Sequence, residues 1–279
     1  MEIQLIMKVL LPFLFSLLVF SGYSNVNILV NNRHVAYTKT IFLKQGDTLC
    51  LTDQDTLGKK CWYEIDPEQL NYDISNSSKP YHSLISYKIA KLSSEKSLTI
   101  MKVTAGTIYF GLFDDNDSLV KNGELNEKRP LQSCYDNIFQ IVVRENDSYR
   151  GYLTELINTP FILPPTFING FGHQTDLRIG SDCAELAIYG KRRMGYNIPY
   201  VGPSGIVNFL DEIKKDSLFE GCILHFGFQV SVLYKDNGKK GKLDADDILI
   251  QSLEGKACLT EFRYCSYYNY PYKAFKWKE

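Results

Sequence analysis

The sequence predicts an α+β protein in two parts: an all-β sandwich over residues 25–146, and a mixed unit over residues 147–279 in which one helix faces an antiparallel sheet. Three observations predict it. Short apolar or alternating runs, parted by Gly-, Asn- and Asp-rich turns, fill the first part. One well-capped helical stretch begins at Cys183, and apolar runs at 221–236 and 246–253 then read as strands again. At 279 residues with 44% apolar content, the chain can bury two cores.

The N-terminus comes first. In "MKVLLPFLFSLLVFSGYS" a lysine precedes an apolar run from Val9 to Phe20, too short to span a bilayer but the right length for a signal-peptide core. Residues 1–24 therefore read as a signal peptide cleaved after Ser24, with Gly22 as the second small residue; Met7 is an alternative start. The expectation is a secreted, periplasmic or cell-envelope protein that meets the membrane only through this segment. An uncleaved anchor is the competing reading. The formal net charge of −1, with both signs interspersed, offers no basic stripe for nucleic acid.

From residue 25 to 146, "NILV", "HVAYTKTIFL", "DTLCLT", "HSLISYKIAKL", "SLTIMKV", "GTIYFGLF" and "NIFQIVV" supply seven strands. Seven short strands without a helical period predict a sandwich of immunoglobulin-like type, although strand number alone does not separate that topology from other sandwiches. The stretch "FDDNDSLVKNGELNEKRP" (113–130) reads as a solvated connection. Export would place the seven cysteines in an oxidising compartment, where an odd number leaves at least one thiol unpaired. Cys50 with Cys61 and Cys258 with Cys265 are candidate local clasps, or else reduced core residues.

The second part opens with a helical candidate, Tyr149 to Ile157, and then "NTPFILPP", whose prolines favour extended backbone. A Gly-rich loop leads to "SDCAEL". Asp182 is a good N-cap and Glu185 completes a reciprocal capping box, so Cys183 becomes the first helical residue. There its sulfur meets free backbone N–H groups and the positive end of the helix dipole, which favour a thiolate nucleophile. A cysteine at this position also serves simply as a small buried residue. Cys183, Ala187, Gly190 and Met194 form a stripe of small or flexible residues against which another element can pack, and the helix ends near Gly195.

A helix-borne nucleophile packed on an antiparallel sheet that supplies the base is the layout of papain-like cysteine hydrolases. Over roughly residues 150–262 the chain resembles the NlpC-type cell-wall peptidases of that fold. "NTPF" (158–161) stands where they carry Gly-Thr-Pro-Tyr, and "SDCAEL" (181–186) where they carry Asp-Cys-Ser-Gly. "GCILHF" (221–226) stands for Gly-Asp-x-x-x-Phe, "QVSVLY" (229–234) for His-Val-Gly, and "LIQSL" (249–253) for the strand with the polar third residue. The resemblance implies a cysteine peptidase or amidase acting on peptidoglycan stem peptides or similar amides, with Cys183 as nucleophile.

The base is where the sequence departs from that pattern. Gln229 occupies the histidine position, and an amide does not accept a proton at useful pH. Three readings are open: His225 serves as base, His173 swings in from its loop, or the site binds without cutting and the protein is an envelope binding protein. Gln251 would orient the base. Asp182, Phe161 and Arg178 are candidate substrate contacts, although capping alone accounts for Asp182. The resemblance implies no cofactor, and no His/Asp/Glu cluster suggests a metal. "DNGKKGKLDADD" (236–247) has the outline of a calcium loop, yet Gly238 and Lys240 stand where oxygen donors are needed, so it reads as a hairpin loop. The aromatic, basic tail reads as an edge strand over the sheet, with a glycan-contacting patch as the alternative.

Overall fold

The structure, a computed structural model, describes residues 26–55, 59–68, 85–127, 129–253 and 255–279. The signal peptide expected over residues 1–24 lies outside the described residues. Among them, no helix is long and apolar enough to cross a membrane.

The fold is α+β and rich in strand. The first part contains β1 (Val26–Val30), β2 (Arg33–Val35), β3 (Thr40–Lys44), β4 (Leu49–Asp53), β5 (Lys60–Glu68), β6 (Ile85–Ser93), β7 (Ser97–Ile100), β8 (Gly106–Asp114), β9 (Glu124–Glu127) and β10 (Ile138–Arg144). They form a four-stranded sheet, β2-β1-β4-β7, and a six-stranded sheet, β3-β10-β8-β5-β6-β9. Alternation sets what lies between the sheets. Leu49 and Leu51 of the small sheet meet Trp62, Phe110, Leu112, Phe139 and Ile141 of the large one.

Three elements of this part differ from the expectation. "HVAYTKTIFL" breaks into β2 and β3, which join different sheets. The central strand β5 has no clean alternation because both of its faces are covered: Trp62 enters the inter-sheet core while Cys61 and Tyr63 pack on the far face. The 113–130 stretch holds a short helix, α1 (Ser118–Asn122), and the edge strand β9. The Cys50–Cys61 clasp does not form. Cys50 points away from the core on the small sheet and Cys61 faces outward on the large one, so the sandwich separates them. All seven cysteines are free thiols.

The far face of the large sheet is covered in part by the rest of the chain. Ile162 and Ile179 join Tyr63, Tyr87, Tyr109 and Ile138 in one buried cluster. Thr107 N–H donates to the Ile157 carbonyl at 2.9 Å, the Tyr109 hydroxyl to the Arg178 carbonyl at 3.3 Å, and Gln140 Nε2 to the Leu177 carbonyl at 3.0 Å.

After a one-turn helix, α2 (Leu131–Cys134), the second part contains α3 (Tyr149–Leu153), α4 (Cys183–Arg193) and α5 (Pro203–Ile206). Its strands are β11 (Phe167–Ile168), β12 (Gly172–His173), β13 (Leu210–Ile213), β14 (Ile223–His225), β15 (Val230–Lys235), β16 (Ile248–Gln251), β17 (Cys258–Glu261) and β18 (Lys273–Trp277). The sheet order β13-β18-β14-β15-β16-β17 places the tail strand β18 inside the sheet, not at its edge. Helix α4 covers one face, over Val230, Val232 and Ile250, while Leu233, Leu249, Phe226 and Tyr267 build a second core on the other. The small-residue stripe of α4 receives α3. A Cβ on Gly190 would lie 2.6 Å from Leu153 Cδ2, and the Tyr149 hydroxyl donates to the Ala187 carbonyl at 3.0 Å.

Candidate functional site

Asp182 caps α4 as expected, its carboxylate accepting from Glu185 N–H at 2.7 Å. The return half of the capping box is replaced. Glu185 turns its carboxyl to the Thr175 hydroxyl, with His173 Nδ1 at 3.6 Å. The run "NTPF" lies beside this start: Pro160 and Phe161 bridge to Lys256 and Ser181, and Phe161 N–H donates to the Gly255 carbonyl at 2.7 Å. Phe161 is buried, and with Ser181 it holds the chain that enters the cap.

Cys183 stands at the first helical position but is only 5% exposed. Burial pushes its thiol up to about 12, and the neighbouring Asp182 adds to the rise. The main-chain N–H groups of Val230, Ala184 and Cys183 itself pull the other way and lose. The dipole argument for a thiolate is therefore outweighed by desolvation, which disfavours the anion more than one helix terminus favours it. Asp182 is likewise lifted to about 6 and Glu185 to about 8, first by burial.

The register of the sheet decides which side chains face the sulfur. His225 pairs with Val230, and Ile223 with Val232. Ile223, Val230, Val232 and Ile250 belong to the core under α4, so the sheet presents aliphatic groups there. His225 follows Ile223 by two and shares that side, with its ring edge-on to Phe275. Its Nε2 lies 2.9 Å from the Pro203 carbonyl, and its Nδ1 accepts from Gly227 N–H at 3.1 Å. Both ring nitrogens are engaged with backbone.

Gln229 and Gln251 fall on the opposite side. Gln251 accepts from the Tyr267 hydroxyl, which also meets Ser231 Oγ at 2.7 Å, and Gln229 bonds to the same phenol while donating to the Val230 carbonyl at 3.0 Å. The two glutamines are thus brought together, but by a tyrosine and away from Cys183. A period of two makes this all-or-none, because adjacent residues of a strand face opposite sides.

His173 stacks on Tyr200 at 4.3 Å and touches Glu185 and Thr175, and burial lowers its pKa. Arg178, held at φ 56°, donates to the Tyr189 hydroxyl at 3.0 Å and lies over the Phe42 ring at 4.9 Å. It belongs to the junction with the sandwich. There the fully buried Glu155 accepts from Tyr189 and from Arg193 at 2.9 and 3.1 Å. Nothing in the sequence pattern marked Tyr267, Thr175 or Glu155, since each acts through partners distant in the chain.

The 236–247 loop is closed by its own backbone. Asp236 accepts from Gly241 N–H, Asp244 from Lys239, and Asp247 from Asn237 and Asp244. The Lys240 ammonium lies 3.3 Å from the Asp236 carbonyl. Among the described residues, no group of three or more His, Cys, Asp or Glu side chains is arranged to hold a metal. Compared with known proteins, the chain matches no family model, no curated protein and no solved structure.

Proposed function

We propose that the chain is an exported cell-envelope binding protein in which an NlpC-like, papain-type frame has lost its nucleophile chemistry. The strand order supports the sandwich half of this reading. The N-terminal strands are divided between two sheets that pack face to face over one core, with β3 parallel to the last strand β10 and the remaining pairs antiparallel. Helix α4 packed on an antiparallel sheet, with "TPF" beside its first turn, supports the papain-like half. One observation carries the loss of chemistry: the Cys183 sulfur is buried, answered only by main-chain N–H groups, and faced by Val230, Val232 and Ile250. A nucleophilic thiol needs a base within hydrogen-bond reach or a depressed pKa, and this one has neither. The ligand class is a peptidoglycan peptide or another amide-bearing envelope component.

The test pairs labelling with digestion. A thiol alkylator applied from pH 6 to 9 is expected to label native Cys183 slowly throughout. Insoluble peptidoglycan is expected to sediment the protein without releasing peptides. Peptide release that a Cys183→Ala variant lacks would overturn the reading, as would failure to sediment. A second reading, an active cysteine hydrolase, is favoured by the position of His225 directly across from Val230 on the α4 side. It requires the imidazole to leave Pro203 and reach the sulfur, and the same digestion detects it.

A further inference from the structure

The two sheets of the sandwich are unequal, four strands against six, and the difference leaves a groove. It has a volume of about 670 Å³ and runs beside β7. Five consecutive residues, Ser97 to Met101, line it, so both faces of the strand and the edge between them contribute. β7 ends the small sheet, and among the described residues no strand pairs with its outer edge. The floor is the inner face of the large sheet, where Leu92 of β6 is exposed, Ile108 of β8 is half-buried and Phe110 of β8 is the buried edge of the inter-sheet core. Leu92 is 47% exposed and Met101 67% exposed, which is unusual for apolar residues gathered around one concavity.

The charges around the groove are of one sign. Glu64 and Glu95 line it, neither forms an ion pair among the described residues, and no lysine or arginine lines it. Two nearby lysines turn elsewhere: Lys91 pairs with Asp115, and the Lys96 ammonium reaches the Asp55 carbonyl. A free strand edge offers backbone hydrogen bonds, the apolar floor takes alternate side chains, and unpaired carboxylates select cations.

We propose that this groove receives an extended segment of a partner protein that carries both apolar and basic side chains, as a fifth strand beside β7. The segment's backbone pairs with Ser97–Met101, its inward side chains cover Ile108 and Leu92 and place a cation at Glu64, which shares the inner face with Phe110, and a basic side chain near the β6–β7 turn meets Glu95. The β6–β7 turn closes one end of the groove. The inference is independent of the chemistry at Cys183.

The experiment uses the full chain and two synthetic probes, acetyl-KVKVKV-amide and acetyl-EVEVEV-amide, read by residue-resolved hydrogen exchange. The basic probe is expected to protect amides within 97–101 and saturate, while the acidic probe does not. The double reversal Glu64→Lys/Glu95→Lys is expected to weaken the basic probe about tenfold and to admit the acidic one. If that variant folds poorly, Glu64→Gln/Glu95→Gln serves instead and is expected to erase most of the preference between the probes. Equal protection by both probes, or by neither, overturns the proposal. So does concentration-dependent protection of the same amides without peptide, which would make the occupant a second copy of this chain.

Discussion

His225 and Val230 face each other across the β14–β15 ladder, which puts the imidazole on the α4 side of the sheet and leaves Gln229 on the other. A histidine placed at Gln229 would therefore face away from the Cys183 sulfur. Gln229→His is expected to gain no peptide hydrolysis. It is also expected to destabilise the fold by about 1–3 kcal/mol, because it disrupts the buried phenol network of Tyr267. Urea titration and a single-turnover digestion check both outcomes. Val230→His points an imidazole toward the sulfur and is expected to speed alkylation of Cys183 at pH 7 about tenfold, through a nearby cation that favours the thiolate.

Glu185 makes stability depend on pH in a direction unusual for a carboxylate. Its folded value, about 8, lies above the ordinary 4.5, so between the two the native state holds a proton that the unfolded chain has released. Its contribution is fully present below pH 4.5 and is lost as pH rises through 8. Asp182, at about 6, adds the same sign over a lower window. Asp115 and Asp147, held down by Lys91 and Lys44, act oppositely below the ordinary carboxylate range, and His173, lowered by burial, acts oppositely below its ordinary 6.5, so the measurement belongs above pH 7. Denaturant midpoints are expected to fall from pH 7 to pH 9. Glu185→Gln, which keeps an acceptor for Thr175, is expected to flatten most of that slope and to be the more stable protein at pH 9, by an amount on the order of a few kcal/mol.

Gly190 poses a contest of two known effects. Replacing a mid-helix glycine with alanine favours the helix by about 1 kcal/mol. Here the added methyl would stand 2.6 Å from Leu153 Cδ2 and 2.7 Å from the Tyr149 ring. Both belong to α3, which the Tyr149–Ala187 hydrogen bond draws tight against α4. Overpacking of this kind costs about 1–3 kcal/mol, so Gly190→Ala is expected to lower stability on balance. Thermal unfolding of the variant measures the sign.

Much of the architecture was legible because it rests on local physics. Asp182, "SDC" and the small-residue stripe located α4, and Gly195 marked its end, where the backbone turns to φ 95°. The Gly227 turn between β14 and β15 was equally local. What failed to show depends on burial and on pairing over distance. β5 is covered on both faces, so its periodicity vanishes, and β18 takes its place between β13 and β14 only through long-range register. The pKa of Cys183 illustrates the same division. Its place at a helix start can be read from four residues, but the layer of Val230, Val232 and Ile250 that desolvates it comes from strands some fifty residues or more downstream.

The junction between the two parts turns on one carboxylate. Glu155 is fully buried, accepts two bonds from the Arg193 guanidinium and one from the Tyr189 hydroxyl, and has Arg144 at 3.7 Å. Arg193 in turn lies over the rings of Phe42 and Tyr152, at 5.3 and 5.2 Å, so the pair ties α4 to β3 and α3 together. A buried ion pair adds little over an apolar substitute, but removing one partner leaves the other desolvated and alone. Glu155→Ala is therefore expected to destabilise, though by less than the roughly 3–5 kcal/mol of a fully buried pair because the Arg193 side chain is 31% exposed, and the paired change Glu155→Leu/Arg193→Met is expected to recover most of that loss. Guanidinium melts of the single and double variants separate the two outcomes. A Glu155→Ala protein as stable as wild type would mean that the guanidinium finds water once its partner is gone.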